Sequence, residues 1–148
     1  MTTYLGIDLG TSSSKVIIMD ENQKILASAA RPMEVSRPHH GWSEQEPGDW
    51  IGATTAAIDE LKATNGAMLA RVRGIGLSGH MHGATLLDKQ DRALRPCILW
   101  NDTRSHAEAH ELDSQPIFRQ LTGNIVFPGF TAPKLLWVAR NEPDIFAK

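Results

Sequence analysis

The sequence predicts an α/β fold: a mixed sheet that opens with an antiparallel meander and carries helices on both faces. Three observations lead there. The first thirty residues hold three short apolar runs separated by turn residues, the first two rich in β-branched side chains. From Trp50 onward, apolar residues recur at helical spacing. A further apolar run then leads from Val72 through Leu77 into Ser78-Gly79, as a strand entering a loop does. With 148 residues the chain is long enough for one domain with a sizeable core.

Taken in order, the strands cover about Tyr4–Asp8, Lys15–Met19 and Ile25–Ala29, with Asp20-Glu21-Asn22-Gln23 as the second turn. From Arg31 to Gly48 prolines, histidines and Trp42 break regular structure, and an irregular surface excursion is expected. A helix follows on Trp50, Thr54, Ala57, Ile58 and Leu61, capped by Asp49 and stopped by Asn65-Gly66. After the strand at Val72, Ile75 and Leu77, a second meander is predicted from Ala84–Leu87, a turn at Asp88–Asp91, and Cys97–Trp100. Thr103 or Ser105 caps a helix through Leu112, and a short helix covers Pro116–Leu121, ending at Gly123. Residues 131–140 form a last helix with Pro133 in its first turn, broken by Asn141 and Pro143.

Composition excludes several function classes. Fifteen Lys and Arg against seventeen Asp and Glu give a net charge of −2, which offers no field for nucleic acid or an anionic membrane. No apolar run approaches the roughly 18 residues of a membrane span. No basic segment followed by an apolar stretch opens the chain, so a signal peptide is not expected and the cytoplasm is the expected compartment. Cys97 is the single cysteine, so no intrachain disulfide can form.

Three segments could carry chemistry. The first is Gly6-Ile7-Asp8-Leu9-Gly10-Thr11-Ser12-Ser13-Ser14-Lys15. An acid inside an apolar run is costly unless paired or metal-bound, and a turn of hydroxyls, backbone N–H groups and a cation suits a phosphate. It lacks the GxxxxGK[ST] pattern, and a plain polar hairpin tip is the competing reading. The second segment, Ser78-Gly79-His80-Met81-His82-Gly83-Ala84, ends a strand, where ligands of α/β sheets tend to sit. His80 and His82 lack a third ligand at a defined spacing, so hydrogen bonding to a hydroxylated ligand is favoured over zinc. The third is Leu99-Trp100-Asn101-Asp102-Thr103-Arg104, whose ring, amide, acid and guanidinium could stack on and bond a polyol. A capped helix start with a surface Asp102–Arg104 pair is the plainer alternative. His106 and His110 are one helical turn apart and read as a solvated face.

Ile7-Asp8-Leu9-Gly10-Thr11-Ser12-Ser13 resembles the first phosphate motif of the actin-like ATPase superfamily, with its ribonuclease H-like fold. The run Gly79–Asp88, then Leu94-Arg95-Pro96 and Ile98–Asp102, resembles the FGGY family of carbohydrate kinases, and within it the members that phosphorylate D-xylulose. Trp42-Ser43-Glu44-Gln45 and Pro128–Trp137 support the likeness, which runs over essentially the whole chain. The resemblance implies ATP and Mg²⁺ as cofactors, with Asp8 as the catalytic-site carboxylate that holds the metal through water. It implies Gly10, Thr11, Ser12 and Ser13 at the phosphates, with Lys15 nearby. Met81 and His82 would contact the sugar, and Trp100, Asn101, Asp102 and Arg104 would border it. His80 stands where Gln is usual, and Thr103 where Gly is usual.

Such kinases have two actin-like domains and a general-base aspartate farther along a longer chain. Residues 1–148 are therefore expected to be the N-terminal part of the first domain, inactive alone, with the C-terminal domain as their missing partner. The expected partners are ATP and D-xylulose, with a homodimer as the candidate assembly. The alternative is a stand-alone sugar-binding or regulatory module derived from such a kinase.

Overall fold

The computed structural model describes residues 1–148. They divide into two compact units, one of Met1–Glu34 with Gly48–His80, the other of Val35–Pro47 with Met81–Lys148.

The first unit is a mixed sheet. Along the chain its strands are β1 (Thr3–Leu9), β2 (Ser13–Asp20) and β3 (Ile25–Pro32). The two-residue β4 (Glu44–Gln45) belongs to the other unit, and β5 (Val72–Gly79) completes the sheet in the order β3-β2-β1-β5. The meander β1-β2-β3 is antiparallel and β5 joins β1 in parallel, as the expected mixed sheet requires. The registers fix the neighbours of one acid: Asp8 lies opposite Lys15 on β2 and beside Ser78 on β5.

Alternation along β1 and β2 turns Leu5, Val16 and Ile18 to one face. There they meet Ala57 and Leu61 of α1 (Pro47–Leu69). Each such aliphatic side chain withdrawn from water stabilises by about 1.5–3 kcal/mol. Polar ties sit within this core: Ser14 and Thr54 share a hydroxyl hydrogen bond of 2.8 Å, and the Thr3 hydroxyl donates to the Met68 carbonyl at 2.8 Å. The helix expected on the second sheet face is not supplied within this unit.

Several boundaries differ from expectation, among them the end of β3 at Pro32. Helix α1 starts at Pro47, and Asn65-Gly66 kinks it without stopping it: Asn65 leaves helical geometry at φ −135° and ψ 31°, then the helix runs on to Leu69. Met68 and Leu69 pack on the core, which holds the last turn against the cost of the kink. β2 starts at Ser13 because the ladder continues to Leu9–Ser14, so the turn is tighter than the sequence implied.

In the second unit β4 pairs with β6 (Cys97–Ile98), and helices α2 (His106–Asp113), α3 (Pro116–Thr122), α4 (Thr131–Asn141) and α5 (Pro143–Phe146) follow. Its core joins Ala84, Ile98 and Val138 to Leu86, Trp137 and Ile145. The second meander is reduced to β6 and the isolated bridges Ala84–Ile98 and Leu87–Ala93. Ile98 instead spends its other edge on Glu44, inside the stretch read as irregular. Ser105 precedes α2, but its hydroxyl donates to the Pro128 carbonyl at 3.1 Å and makes no cap. No helix is long and apolar enough to cross a membrane.

Candidate functional site

The sequence-named residues fall into two groups, one in each unit. In the first, β1 delivers Asp8 to an open cavity of 460 Å³ lined by Gly6, Asp8, Lys15, Ile17, Gly76 and Ser78 among others. Asp8 is exposed, which corrects its reading as a carboxylate embedded in apolar surroundings. Pleating turns it away from the helix-covered face that takes Leu5 and Ile7. The exposed carboxylate is available to a cation, while the lysine and serine beside it offer donors that suit a phosphate.

The turn beyond it is closed from within. The Gly10 N–H donates to the Ser13 carbonyl at 3.0 Å, so it is not one of the free donors the sequence suggested. The Ser12 carbonyl accepts the Met33 N–H at 2.9 Å. The Gly10 carbonyl faces His80 Nε2 at 3.1 Å; a carbonyl only accepts, so the proton sits on Nε2. The His80 ring stacks on Trp50 with centroids 5.0 Å apart and planes 22° from parallel. Thr11, Ser12, Ser13 and Lys15 thus ride on a turn pinned at Gly10.

In the second unit Met81, His82, Trp100 and Asn101 are all exposed, and the first two follow one another on the loop before Ala84. His82 has φ 59°, a left-handed conformation that non-glycine residues rarely adopt. Its ring lies 4.5 Å from that of Phe130, centroid to centroid. Gly129, next to Phe130, backs directly onto the Trp100 carbonyl, where any Cβ would collide. The loops bearing His82, Trp100 and Phe130 therefore form one small surface.

Asp102 and Arg104 are paired inside the fold. Both side chains are buried, which corrects the plainer reading of a surface pair. Asp102 accepts the Ser43 N–H at 2.6 Å and the Arg104 guanidinium at 2.9 and 2.7 Å. Arg104 reaches Glu44 at 2.7 Å and lies over the Trp42 ring at 3.6 Å from its centroid. Arg95 closes on the same Glu44 oxygen and on Glu142 at 3.1 Å. This interlocked set holds the strand-to-helix corner after Trp100 and Asn101 in place; it is scaffold for those exposed residues.

Two residues were missed as site components, Phe130 and Lys134. Lys134 is fully buried, and its Nζ donates to the carbonyls of His82 and Gly129, each at 2.8 Å. Burial pushes its ammonium down to about 8. The signal was a lysine one helical turn from Val138 on the apolar stripe of α4. No three His, Cys, Asp or Glu side chains are grouped so as to hold a metal ion among themselves.

Comparison with known proteins agrees with the motifs. The chain is 51% identical over 144 residues to a xylulose kinase of Escherichia coli, covering 97% of this chain and 29% of that one. A xylulose kinase of Bacillus subtilis is 39% identical over 150 residues, covering 100% and 30%. A crystal structure of a "xyloylose kinase" from Brucella ovis superposes with a TM-score of 0.97 at 62% identity, over 99% of this chain and 31% of that one. The xylulose kinase of Rhodospirillum rubrum gives 0.91 at 35% identity, over 98% and 30%. The chain thus spans about three tenths of the length of the relatives it matches. Residues 3–148 match the N-terminal domain of the FGGY family of carbohydrate kinases, the family with the actin-like ATPase fold to which this chain belongs.

Proposed function

We propose that residues 1–148 are the N-terminal part of the first actin-like domain of a xylulokinase, which transfers the γ-phosphoryl of ATP to the 5-hydroxyl of D-xylulose. The observation that carries this reading is Asp8, an exposed carboxylate fixed in register between Lys15 and Ser78 beside a hydroxyl-bearing turn. The donors fit Mg²⁺: a hard carboxylate oxygen, hydrated and free to hold the ion through its water shell. When bound, Mg²⁺ would neutralise phosphate charge. Thr11, Ser12 and Ser13 orient the β- and γ-phosphates, and Lys15 adds positive charge beside them.

The acceptor side is built from His82 and Met81, with Trp100 and Asn101 on the adjoining loop. His82 donates or accepts at a sugar hydroxyl, and the exposed face of Trp100 gives a platform for the carbon skeleton. Asp102 and Arg104 serve by fixing that loop. Phosphoryl transfer needs in-line positioning by groups on both sides of the transferred phosphoryl. Residues 1–148 carry one of those sides, so alone they transfer nothing.

The test is an ATP- and Mg²⁺-dependent assay of D-xylulose phosphorylation with two proteins: the enzyme carrying this sequence with its remaining domains, and residues 1–148 alone. Turnover by the first and none by the second is expected. Robust turnover by residues 1–148 would overturn the division of labour. Calorimetry with D-xylulose and no nucleotide addresses the stand-alone sugar-binding module, which saturable micromolar binding by residues 1–148 would favour.

A further inference from the structure

Lys134 is an unusual residue to find entirely inside a protein, because its ammonium must leave water. Two acceptors face it, and both are main-chain carbonyls of the loops that form the candidate sugar surface. One belongs to His82, whose backbone is in the left-handed region; the other belongs to Gly129, adjacent to the Phe130 ring that His82 packs against. A strained conformation persists only when its surroundings over-determine it. Here the surroundings are one cation on a rigid helix, reaching across 52 residues of sequence to His82.

We propose that Lys134 is a positioning residue for sugar recognition: its Nζ clamps the His82 and Gly129 carbonyls together and so holds the His82 side chain against Phe130 in the pose that meets the acceptor. The proposal rests on the reading of His82 as a sugar contact. The charged form grips two carbonyls more strongly than a neutral amine would. Burial pushes the ammonium down to about 8, so the grip weakens above that pH. The other ionisable groups acting on Lys134 are Cys97 of β6, Asp102 and Arg104; Glu44 and Arg95 act on Cys97, and the His82 imidazole is on the clamped loop itself. Burial raises the Cys97 thiol above its ordinary value while it lowers the Lys134 ammonium to about 8, so the usual order is reversed and the ammonium titrates first.

The test uses the enzyme carrying this sequence with its remaining domains. Lys134→Met, which removes both hydrogen bonds of the clamp, is expected to raise KM for D-xylulose about tenfold, with KM for ATP unchanged. Lys134→Arg, which keeps the charge, should recover part of that loss. In the unmutated enzyme KM for D-xylulose should climb above about pH 8. There, the carbonyl carbons of His82 and Gly129, observed by selective ¹³C labelling, should shift together over that same range; this readout needs no variant to fold. Carbonyl signals that stay still through that range, or a Lys134→Met enzyme with unchanged KM for D-xylulose, would overturn the proposal. So would an equal rise in both KM values, the mark of general loosening. His82→Ala separates the underlying reading: unchanged KM there removes the sugar contact and the proposal with it. If His82→Ala raises KM and Lys134→Met does not, the clamp alone is wrong.

Discussion

Asp8 and Asp102 are both carboxylates at the ends of apolar runs, and the fold gives them opposite environments. Asp8 is exposed, beside a lysine and a serine, at the mouth of an open cavity. Asp102 is wholly buried, with Ser43, Arg104 and, through Arg104, Glu44 around it. The difference teaches how to read charge near a site. A charged group that must meet a ligand is left hydrated and lightly held. One that holds a loop still is desolvated and partnered on both its oxygens.

The comparison breaks most easily at Asp102. Removing one partner of a buried pair leaves the other charge stranded, so Asp102→Ala should cost about 3–5 kcal/mol in denaturant unfolding. Asp8→Ala, at an exposed position, should stay within about 0.5 kcal/mol. Similar losses at the two sites would erase the distinction between scaffold and ligand-facing acids.

Activity should show the reverse ranking of subtlety. In the complete enzyme Asp8→Ala should lower kcat about 100-fold or more, the scale of losing one electrostatic stabiliser, and leave KM for D-xylulose nearly unchanged. His82→Ala should instead raise KM for D-xylulose about tenfold. Steady-state kinetics that exchange these two phenotypes would reverse the assignment of phosphate and sugar ends.

Smaller effects sharpen the picture. Gly129→Ala forces a Cβ onto the Trp100 carbonyl and should cost about 1–3 kcal/mol, read as a lowered melting temperature. The least effect is expected at the surface pairs. Arg119 holds Asp113 below its ordinary 3.8, and Arg140 holds Glu111 below its ordinary 4.5. A carboxylate lowered on folding contributes stability that is complete above its unfolded value and is lost as the pH falls through the folded one. Acid titration of Asp113→Asn or Glu111→Gln should therefore differ slightly from the parent chain above about pH 5 and converge with it as the pH falls below the ordinary carboxylate range.

Much of this was legible along the chain. An acid in an apolar run followed by hydroxyls marked Asp8 and its turn, and local periodicity marked β1, β2, β5, α3 and α4. What stayed hidden depends on partners far away in sequence. Glu44 looked like part of a proline-broken excursion, yet it is a strand residue buried against Arg95, 51 residues on. Arg104 looked like a surface residue because nothing local announces that Trp42 will cover it. Asn65-Gly66 carried a stop signal that the packing of Met68 and Leu69 overrode. Even Asp8 was misjudged in one respect, since alternation along β1 decides which face it takes, and that face is the open one.

The arrangement around Arg104 has an optical consequence. Trp42 and Trp137 are held with centroids 5.4 Å apart and planes crossed at 86°, with the guanidinium at 3.6 Å from one ring and 5.1 Å from the other. Two indoles fixed at such a distance and angle couple their electronic transitions, and a cation on the ring face shifts them further. Slackening at this corner would reach the near-ultraviolet circular dichroism of the protein before any helix unwinds, giving the buried scaffold a spectrum of its own.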